Sequence, residues 1–325
     1  MRAVIAKKPG GVEVLEIIDM PRPHCGPDQI LVRNFATALN RADLLQRRGL
    51  YPPPVGESEV LGLEFAGEVD TVGADVKGFS RSDRVFGLLA GGGYAEYVAV
   101  HHALAVPIPD TLSFDAAASI PEAFYTASES LFHLGRLSRG DVALIHAGAS
   151  GVGSAAIQLA WACGARVVAT TSSPEKAQLC LDLGAARAVV HSEEDFSEAV
   201  REVSGGSGAG VVLDLVGAKH WERSVACLAE GGRLLVVGLV GGSRVSVDLG
   251  VVLRRRLQIL GTALRVRSLE DKIAITQRFR ERVLPLLERG EVRAVIDRVY
   301  PLEEVRSAHE RMEANLNKGK IVLRM

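Results

Sequence analysis

The chain has 325 residues, of which 47% are hydrophobic and 24% charged; this is a globular composition, long enough for two domains. The 38 basic and 39 acidic side chains give a formal net charge of −1. This balance disfavours nucleic-acid and membrane-surface binding, because nothing would draw the chain to phosphate backbones or anionic lipids. The sequence contains no apolar run of transmembrane length, no signal-peptide pattern and no clustered cysteines, which together predict a cytoplasmic protein.

The first hundred residues predict short strands separated by turns. Strand patterns cover residues 30–36, 65–73, 83–87 and 95–100. Such a series is typical of a small barrel-like β domain. Residues 113–135 are alanine-rich and predict helix, interrupted at Pro121.

From Asp141 onward, strands alternate with helices. Strands are predicted over 142–147, 166–171, 188–190, 211–216 and 233–238, with helices over 152–163 and 174–183. This alternation predicts an α/β fold with a parallel, doubly wound sheet.

The segment after Gly261 predicts a helix over about 268–288, bent at Pro285, another over 302–314, and a final strand over 320–323. The N-terminal segment has too little helix to cover its own sheet, so we assign this C-terminal piece to it. The predicted domains are therefore 1–123 with 262–325, and an inserted domain of 124–261.

One glycine-rich loop follows a buried strand and opens a helix, which is the context of a dinucleotide-binding loop. Its residues are Ala147, Gly148, Ala149, Ser150, Gly151, Val152 and Gly153. Gly148 is expected to make the tight turn, Gly153 to allow close packing, and Ser150 replaces the usual middle glycine. The helix N-terminus would then face a pyrophosphate. The alternative is a structural turn without a ligand.

The end of the second strand of this domain predicts which cofactor binds. An NAD site usually carries an acidic residue there, but no carboxylate precedes Glu175. Ser172, Ser173 and Lys176 suit a 2′-phosphate, which predicts NADPH rather than NADH. A plain turn, with Ser173 capping a helix that starts at Pro174, explains the same residues, and both interpretations can hold together.

Several motifs in order carry a resemblance to a known family. They are residues 38–43, 49–54, 61–67 and 91–97, the glycine loop, and the ending from Ala308 to Leu323. The chain resembles the medium-chain dehydrogenase/reductase superfamily, and within it the zeta-crystallin-type quinone oxidoreductases, particularly the damage-inducible branch. The resemblance implies a GroES-like β-barrel domain with an inserted Rossmann domain, a cleft between them, NADPH as reductant and a homodimer. It further suggests cofactor contacts at Thr126, His191, Gly238, Leu239, Leu264 and Asn317, although close relatives often carry tyrosine at position 191.

The zinc-dependent members of this superfamily carry metal ligands that this chain lacks. They place a cysteine where this chain has the turn of Leu39 and Asn40, and a histidine where it has Leu63. Because catalytic zinc needs at least three donor side chains, we predict no metal. Carbonyl polarisation would then come from hydrogen bonds, and the resemblance implies that Asn40 and Tyr51 are the polar candidates in the cleft, with the nicotinamide facing both. Asn40 could instead cap a helical turn with Asp43, and Tyr51 could be a packing aromatic.

The sequence thus predicts a zinc-independent NADPH:quinone oxidoreductase acting on quinones or related electrophilic carbonyls. The alternatives are an NADPH-dependent enone or enoyl-thioester reductase, and a non-catalytic NADPH- or nucleic-acid-binding protein. A basic cluster of Arg254–Arg256, Arg265 and Arg267 is predicted to be a solvated face, or else to contact phosphates. The strand of residues 234–238, with Val245–Val247, is expected to be a sheet edge that pairs with a second copy.

Overall fold

The structure is a computed structural model that describes all residues, 1–325. The chain divides into two compact units. The first unit combines Met1–Tyr125 with Leu264–Met325, and the second is Thr126–Ala263. None of the helices combines the length and the hydrophobicity that a membrane span requires.

The N-terminal part of the chain is mainly strand. Its strands are β1 (Arg2–Ala6), β2 (Leu15–Asp19), β3 (Gln29–Ala38), β4 (Glu64–Val72), β5 (Arg84–Leu88), β6 (Tyr97–His101) and β7 (Ala105–Pro107). Its helices are α1 (Arg41–Arg47), α2 (Phe114–Ala118) and α3 (Pro121–Ser128).

The middle part alternates strands and helices. Its strands are β8 (Val142–Ile145), β9 (Arg166–Thr171), β10 (Arg187–Val190), β11 (Ala209–Asp214), β12 (Leu228–Val236) and β13 (Gln258–Gly261). Its helices are α4 (Gly151–Ala162), α5 (Pro174–Asp182), α6 (Phe196–Ser204), α7 (Trp221–Cys227) and α8 (Leu249–Arg254).

The C-terminal part returns to the first unit. It contains α9 (Leu269–Arg282), α10 (Leu284–Glu288), β14 (Ile296–Pro301), α11 (Val305–Glu313) and β15 (Lys320–Arg324). The predicted helix of residues 268–288 is therefore two helices. The break lies at Val283, two residues before Pro285, because the proline ring is tolerated only in the first turn of a new helix.

The sheet of the first unit has seven strands in the order β14-β15-β3-β4-β5-β7, with β6 also paired to β3. Most neighbours are antiparallel, and buried side chains such as Ile30, Phe65 and Val85 fill its core. The last strand of the chain, β15, lies inside this sheet between β14 and β3.

The sheet of the second unit has six parallel strands in the order β10-β9-β8-β11-β12-β13. This is the 3-2-1-4-5-6 order of the Rossmann fold. Its strands are nearly continuous apolar runs because helices cover both faces, and Leu144, Val168 and Val212 are fully buried. The predicted fold class, a doubly wound α/β domain inserted in a domain built mainly of strands, is confirmed.

One edge of this parallel sheet was predicted wrongly. The strand of residues 234–238 belongs to β12, which lies inside the sheet, and Val245–Val247 form no strand. The edge is β13, a strand of four residues that is separated by one residue from the run Arg254–Arg256. Such a short segment after a charged run carries too little strand pattern to be recognised from sequence.

Candidate active site

The glycine loop between β8 and α4 combines an unusual backbone angle with close packing. Ala147 has a φ of 51°, a left-handed conformation that is uncommon for a residue with a side chain. The tight turn expected at Gly148 therefore lies one residue earlier. Gly148 is required for space instead, because a Cβ there would lie 2.8 Å from Cys180 Sγ and 2.9 Å from Ala169 Cβ.

The start of α4 packs against the loop that precedes it. A Cβ on Gly153 would lie 2.3 Å from the carbonyl oxygen of Ala147, so only glycine fits. Ser150, at the position of the usual middle glycine, caps the helix by accepting a hydrogen bond from Gly153 N at 3.0 Å. The N–H groups of Gly151 and Val152 come before any intrahelical partner and suit a phosphate.

The carboxyl ends of β9 and β10 bring together residues predicted to contact the cofactor. Val190 lies opposite Thr171, so His191 lies beside Ser172, and its backbone N–H donates to Thr171 O at 3.0 Å. Burial lowers the pKa of His191, which is therefore neutral at pH 7.

The capping interpretation of the same turn is confirmed. Ser173 Oγ accepts a hydrogen bond from Lys176 N at 3.4 Å, and Pro174 is the first residue of α5. This turn carries hydroxyls and no carboxylate before Glu175, which fits a 2′-phosphate.

The remaining predicted cofactor contacts fall in both units. In the second, Thr126 is buried, Gly238 N donates to Asp214 O at 3.2 Å, and Leu239 is exposed. In the first, Leu264 is buried and Asn317 Nδ2 donates to Gly319 O at 2.8 Å. Their roles toward the cofactor stay predictions.

In the first unit, Lys320 forms a buried ion pair that joins three segments of the chain. Its Nζ donates to Leu39 O at 2.8 Å, Asn40 Oδ1 at 2.6 Å and Glu64 Oε1 at 2.7 Å. Asn40 Nδ2 in turn donates to Glu64 Oε1 at 2.8 Å and Ala38 O at 3.2 Å. Glu64 is 0% exposed and Lys320 4%, so both charges depend on these partners.

This arrangement limits the predicted role of Asn40. Both of its Nδ2 hydrogens and its Oδ1 already have protein partners. Asn40 also precedes α1, where Asp43 Oδ2 accepts from Asn40 N at 2.7 Å as part of a capping box. Donation from Asn40 to a substrate would require one of these hydrogen bonds to be shared, and that role stays a prediction.

A second buried polar group lies behind α1. Tyr94 donates its hydroxyl hydrogen to Asp43 Oδ2 at 2.9 Å, and the same hydroxyl lies 3.4 Å from His309 Nε2. Burial raises the pKa of Asp43 to about 6, and burial lowers that of His309 to about 3. His309 is therefore neutral at pH 7 and serves as a hydrogen-bonding group of the core.

Tyr51 is held by a buried arginine. Arg265 is only 3% exposed. Its guanidinium donates hydrogen bonds to Ala90 O at 2.6 Å, Tyr51 O at 3.1 Å and Gln46 Oε1 at 2.6 Å. Its Cζ also lies 5.2 Å from the centre of the Tyr51 ring. Arg265 is thus not part of the predicted solvated basic cluster, whose Arg254–Arg256 lie in the second unit.

The Tyr51 hydroxyl itself forms no hydrogen bond with the protein. Burial, assisted by Glu122, raises the pKa of Tyr51, and the positive charge of Arg265 opposes this. The phenol is therefore protonated at neutral pH and free to donate a hydrogen bond.

The residues at the positions of the zinc ligands do not fit a zinc ion. Leu39 and Leu63 are buried apolar side chains, and the oxygens at this turn accept hydrogen bonds from the Lys320 ammonium. No group of three or more histidine, cysteine, aspartate or glutamate side chains in the chain is arranged to hold a metal ion.

Comparison with known proteins places this geometry in a family. Models described as "Alcohol dehydrogenase GroES-like domain" and "Zinc-binding dehydrogenase" match residues 26–110 and 151–289. A quinone oxidoreductase of Pseudomonas aeruginosa is 36% identical over 97% of this chain and 96% of its own length. The chain belongs to the quinone oxidoreductase family of the medium-chain dehydrogenase/reductase superfamily.

Solved structures agree with this membership. The Escherichia coli quinone oxidoreductase complexed with NADPH has a TM-score of 0.90 and 30% identity, with complete coverage of both chains. A structure described as an NAD-dependent alcohol dehydrogenase has a TM-score of 0.90 and 34% identity, again with complete coverage. The resemblance identified from the sequence motifs is confirmed.

Sequence reasoning missed the residues that hold Asn40 and Tyr51 in place. Glu64 and Lys320 lie within motifs that carry the resemblance, yet neither received a role, and Arg265 was assigned to a solvated face or to phosphate contacts. A usable signal was present, because Glu64 and Lys320 each begin a largely apolar strand. A charged side chain in such a run must be paired if it is buried.

Proposed function

We propose that this quinone oxidoreductase family member catalyses the reduction of quinones and related electrophilic carbonyls by NADPH, without zinc. The observation that carries the proposal is the pairing of a packed glycine loop with a hydroxyl-lined turn that lacks a carboxylate. Similarity to quinone oxidoreductases along nearly the whole chain supports it. The same turn favours NADPH over NADH, although one similar structure is described as NAD-dependent.

The second unit would hold NADPH through its backbone and its polar side chains. The N–H groups at the start of α4 would bind the pyrophosphate, and Ser172, Ser173 and Lys176 the 2′-phosphate. When bound, NADPH supplies a hydride to the substrate.

The first unit would provide the hydrogen bond that stabilises the reduced oxygen. Tyr51 donates to the oxygen on which negative charge develops, and its orientation is fixed in advance by Arg265. Lys320 and Glu64 hold the turn at Asn40, so that this wall of the site is rigid before substrate arrives. Because a quinone is already electron-poor, this stabilisation suffices without a metal.

The proposal is tested by NADPH oxidation with a panel of quinones, an enone and an enoyl thioester. Tyr51→Phe should lower kcat, by less than the roughly 10²–10³-fold that the loss of a main oxyanion donor costs. Tyr97→Phe removes a hydroxyl elsewhere in the unit and is the control. Unchanged activity in both Tyr51→Phe and Asn40→Ala would refute the two donor roles. Loss of activity on chelation, restored by zinc, would refute the metal-free mechanism.

An enone or enoyl-thioester reductase is the second candidate function. The same hydride donor and the same Tyr51 hydrogen bond would stabilise an enolate oxygen as readily as a quinone oxygen. The ratio of kcat/KM for enone over quinone in the same panel separates the two activities.

The assembly and the location of the protein are part of the proposal. The edge strand β13 offers unpaired backbone groups, and apolar side chains nearby in sequence are exposed: Leu239, Val240, Val245, Val247, Leu249, Leu253 and Ile259. These features favour a homodimer through this edge. A monomeric mass in sedimentation at micromolar concentration would contradict it. The four free cysteines suit the reducing cytoplasm, which cell fractionation tests.

A further inference from the structure

Glu122, the second residue of α3, differs from the other carboxylates around Lys320. Its backbone N–H donates to Glu64 Oε2 at 2.9 Å, which anchors the start of the helix to the buried ion pair. Its own side chain is partly buried and forms no hydrogen bond or ion pair with another residue. Because the side chain is only partly buried and has no protein partner, its carboxyl is available to a bound molecule.

The neighbouring polar side chains already have hydrogen-bond partners within the protein. All three Nζ hydrogens of Lys320 are donated to protein oxygens. Both Nδ2 hydrogens of Asn40 are donated as well. Glu64 accepts hydrogen bonds at both of its oxygens. Of these four side chains, Glu122 alone can give a hydrogen to a bound molecule without breaking an existing contact.

Burial and the neighbouring carboxylates keep that hydrogen in place at neutral pH. Burial, reinforced by the negative charge of Glu64, raises the pKa of Glu122 to about 8. Asp43 acts in the same direction, while Lys320 and Arg265 lower the pKa. The carboxyl is therefore mostly protonated at pH 7, yet it ionises within the range where a general acid works best.

Glu122 and Tyr51 lie close enough in the first unit to interact electrostatically. The charge of Glu122 is one of the causes that raise the pKa of Tyr51, after burial. These two side chains carry the exchangeable protons that have no protein acceptor here. We propose that Glu122 is the proton donor that completes quinone reduction, an inference that rests on the function proposed above.

Reduction of the quinone to the hydroquinone takes one hydride and one proton. The hydride from NADPH brings two electrons and one hydrogen nucleus to the quinone and leaves NADP⁺. The O–H bond of the Glu122 carboxyl breaks as the second O–H bond of the hydroquinone forms, which leaves a carboxylate. Water then returns a proton to that carboxylate. Tyr51 donates a hydrogen bond throughout and keeps its proton.

The first test compares Glu122→Gln, which keeps the shape but has no acidic proton, with Glu57→Gln, which removes an exposed carboxylate of the same unit. With NADPH and 1,4-benzoquinone, kcat of the unaltered protein should decline as the pH rises through about 8, the pKa of Glu122. Glu122→Gln should lose this decline and have a kcat at pH 7 lower by at least about tenfold. Its KM for NADPH should stay unchanged.

The second test needs neither cofactor nor substrate. Because the folded protein holds this proton more tightly than the unfolded chain, whose carboxyl has a pKa near 4.5, stability should fall as the pH rises from about 4.5 to 8. Urea unfolding should show this fall diminished in Glu122→Gln and retained in Glu57→Gln. An infrared carboxyl band, absent from Glu122→Gln, should titrate with a midpoint of about 8.

The outcomes of these tests distinguish the proton-donor role of Glu122 from the proposed quinone reduction. If the unaltered protein reduces benzoquinone and Glu122→Gln keeps its pH profile and kcat, the proton-donor role is wrong and the function stands. A carboxyl band that titrates near 4.5 would also overturn the role. If the unaltered protein oxidises NADPH with no quinone, the proposed function fails, and the proton-donor role fails with it.

Discussion

The glycine loop of the second unit and the Lys320 site of the first unit, made of Asn40, Glu64, Glu122 and Lys320, are built in opposite ways. The loop consists of seven consecutive residues, and it is proposed to bind the cofactor through backbone N–H groups. Its glycines lie where no Cβ fits. The Lys320 site is made by side chains, and its ion pair joins residues 256 positions apart. The loop therefore depends on local shape, whereas the Lys320 site depends on the completed fold.

Because the two regions are built differently, substitutions should have different effects in them: a loss of folding stability at the Lys320 site and a loss of NADPH affinity at the loop. The largest effect is expected at Lys320. Lys320→Met leaves the Glu64 carboxylate buried without its charge partner, so the free energy of unfolding should drop by about 3–5 kcal/mol. Denaturant unfolding measures this drop, with the exposed Lys77→Met as control. Recovery in Lys320→Met/Glu64→Leu is expected, and its absence would mean that Lys320 stabilises through more than its charge.

Next in size is the effect of a single methyl group in the loop. Gly153→Ala places a Cβ 2.3 Å from Ala147 O, so the backbone must move from the geometry proposed to bind the cofactor. We expect the Kd for NADPH, measured by fluorescence, to rise at least about tenfold, or 1.4 kcal/mol. Gly210→Ala is the matched control, because the nearest atom to its new Cβ would be 3.9 Å away. Equal NADPH affinity in both variants would remove the loop from the binding site.

The second unit is also expected to respond to acid. His146 is fully buried behind the loop, lies 2.9 Å from Thr170 Oγ1 and 2.8 Å from Ser224 Oγ, and contacts His220. Burial lowers the pKa of His146 well below its usual value and that of His220 to about 4. Since the unfolded chain then binds protons that the fold excludes, stability should fall as the pH drops below 6.5, by up to about 1.4 kcal/mol per pH unit for each histidine.

This acid response is checked by urea unfolding of His220→Gln between pH 7 and pH 4. The variant should lose one histidine's share of the decline, whereas His24→Gln, at an exposed position, should keep the full decline. A decline that is identical in both variants would show that His220 is not held neutral by the fold.

The smallest effect is expected at the cofactor turn. Lys176→Ala should raise the KM for NADPH several-fold while the KM for NADH changes little, since only NADPH carries the 2′-phosphate. The NADH measurement on the same variant is the control. Equal use of both cofactors by the unaltered protein would contradict the assignment of the turn at Ser172 and Ser173.

What could be predicted from the sequence follows the same division. The Rossmann strands, α4 and the loop have local signals, namely apolar runs, caps and glycines at fixed spacing, and the sequence located them. The edge strand β13 was missed because four residues after three arginines have no pattern of their own. Asn40 and Tyr51 were singled out through family resemblance. The partners of these two residues, Lys320 and Arg265, were not, because only the folded chain brings residues so distant in sequence together.

The position of β15 inside the first sheet has a consequence for biosynthesis. The residues of the second unit are contiguous and leave the ribosome before residue 264, so that unit can fold while translation continues. The first unit must wait, because β15 separates β14 from β3 and supplies the Lys320 ammonium. Until residue 320 is made, the nascent chain holds Glu64 without the Lys320 counter-charge. Ribosome-bound chains should therefore acquire a protease-resistant second unit first, and a protease-resistant first unit only after β15 has emerged.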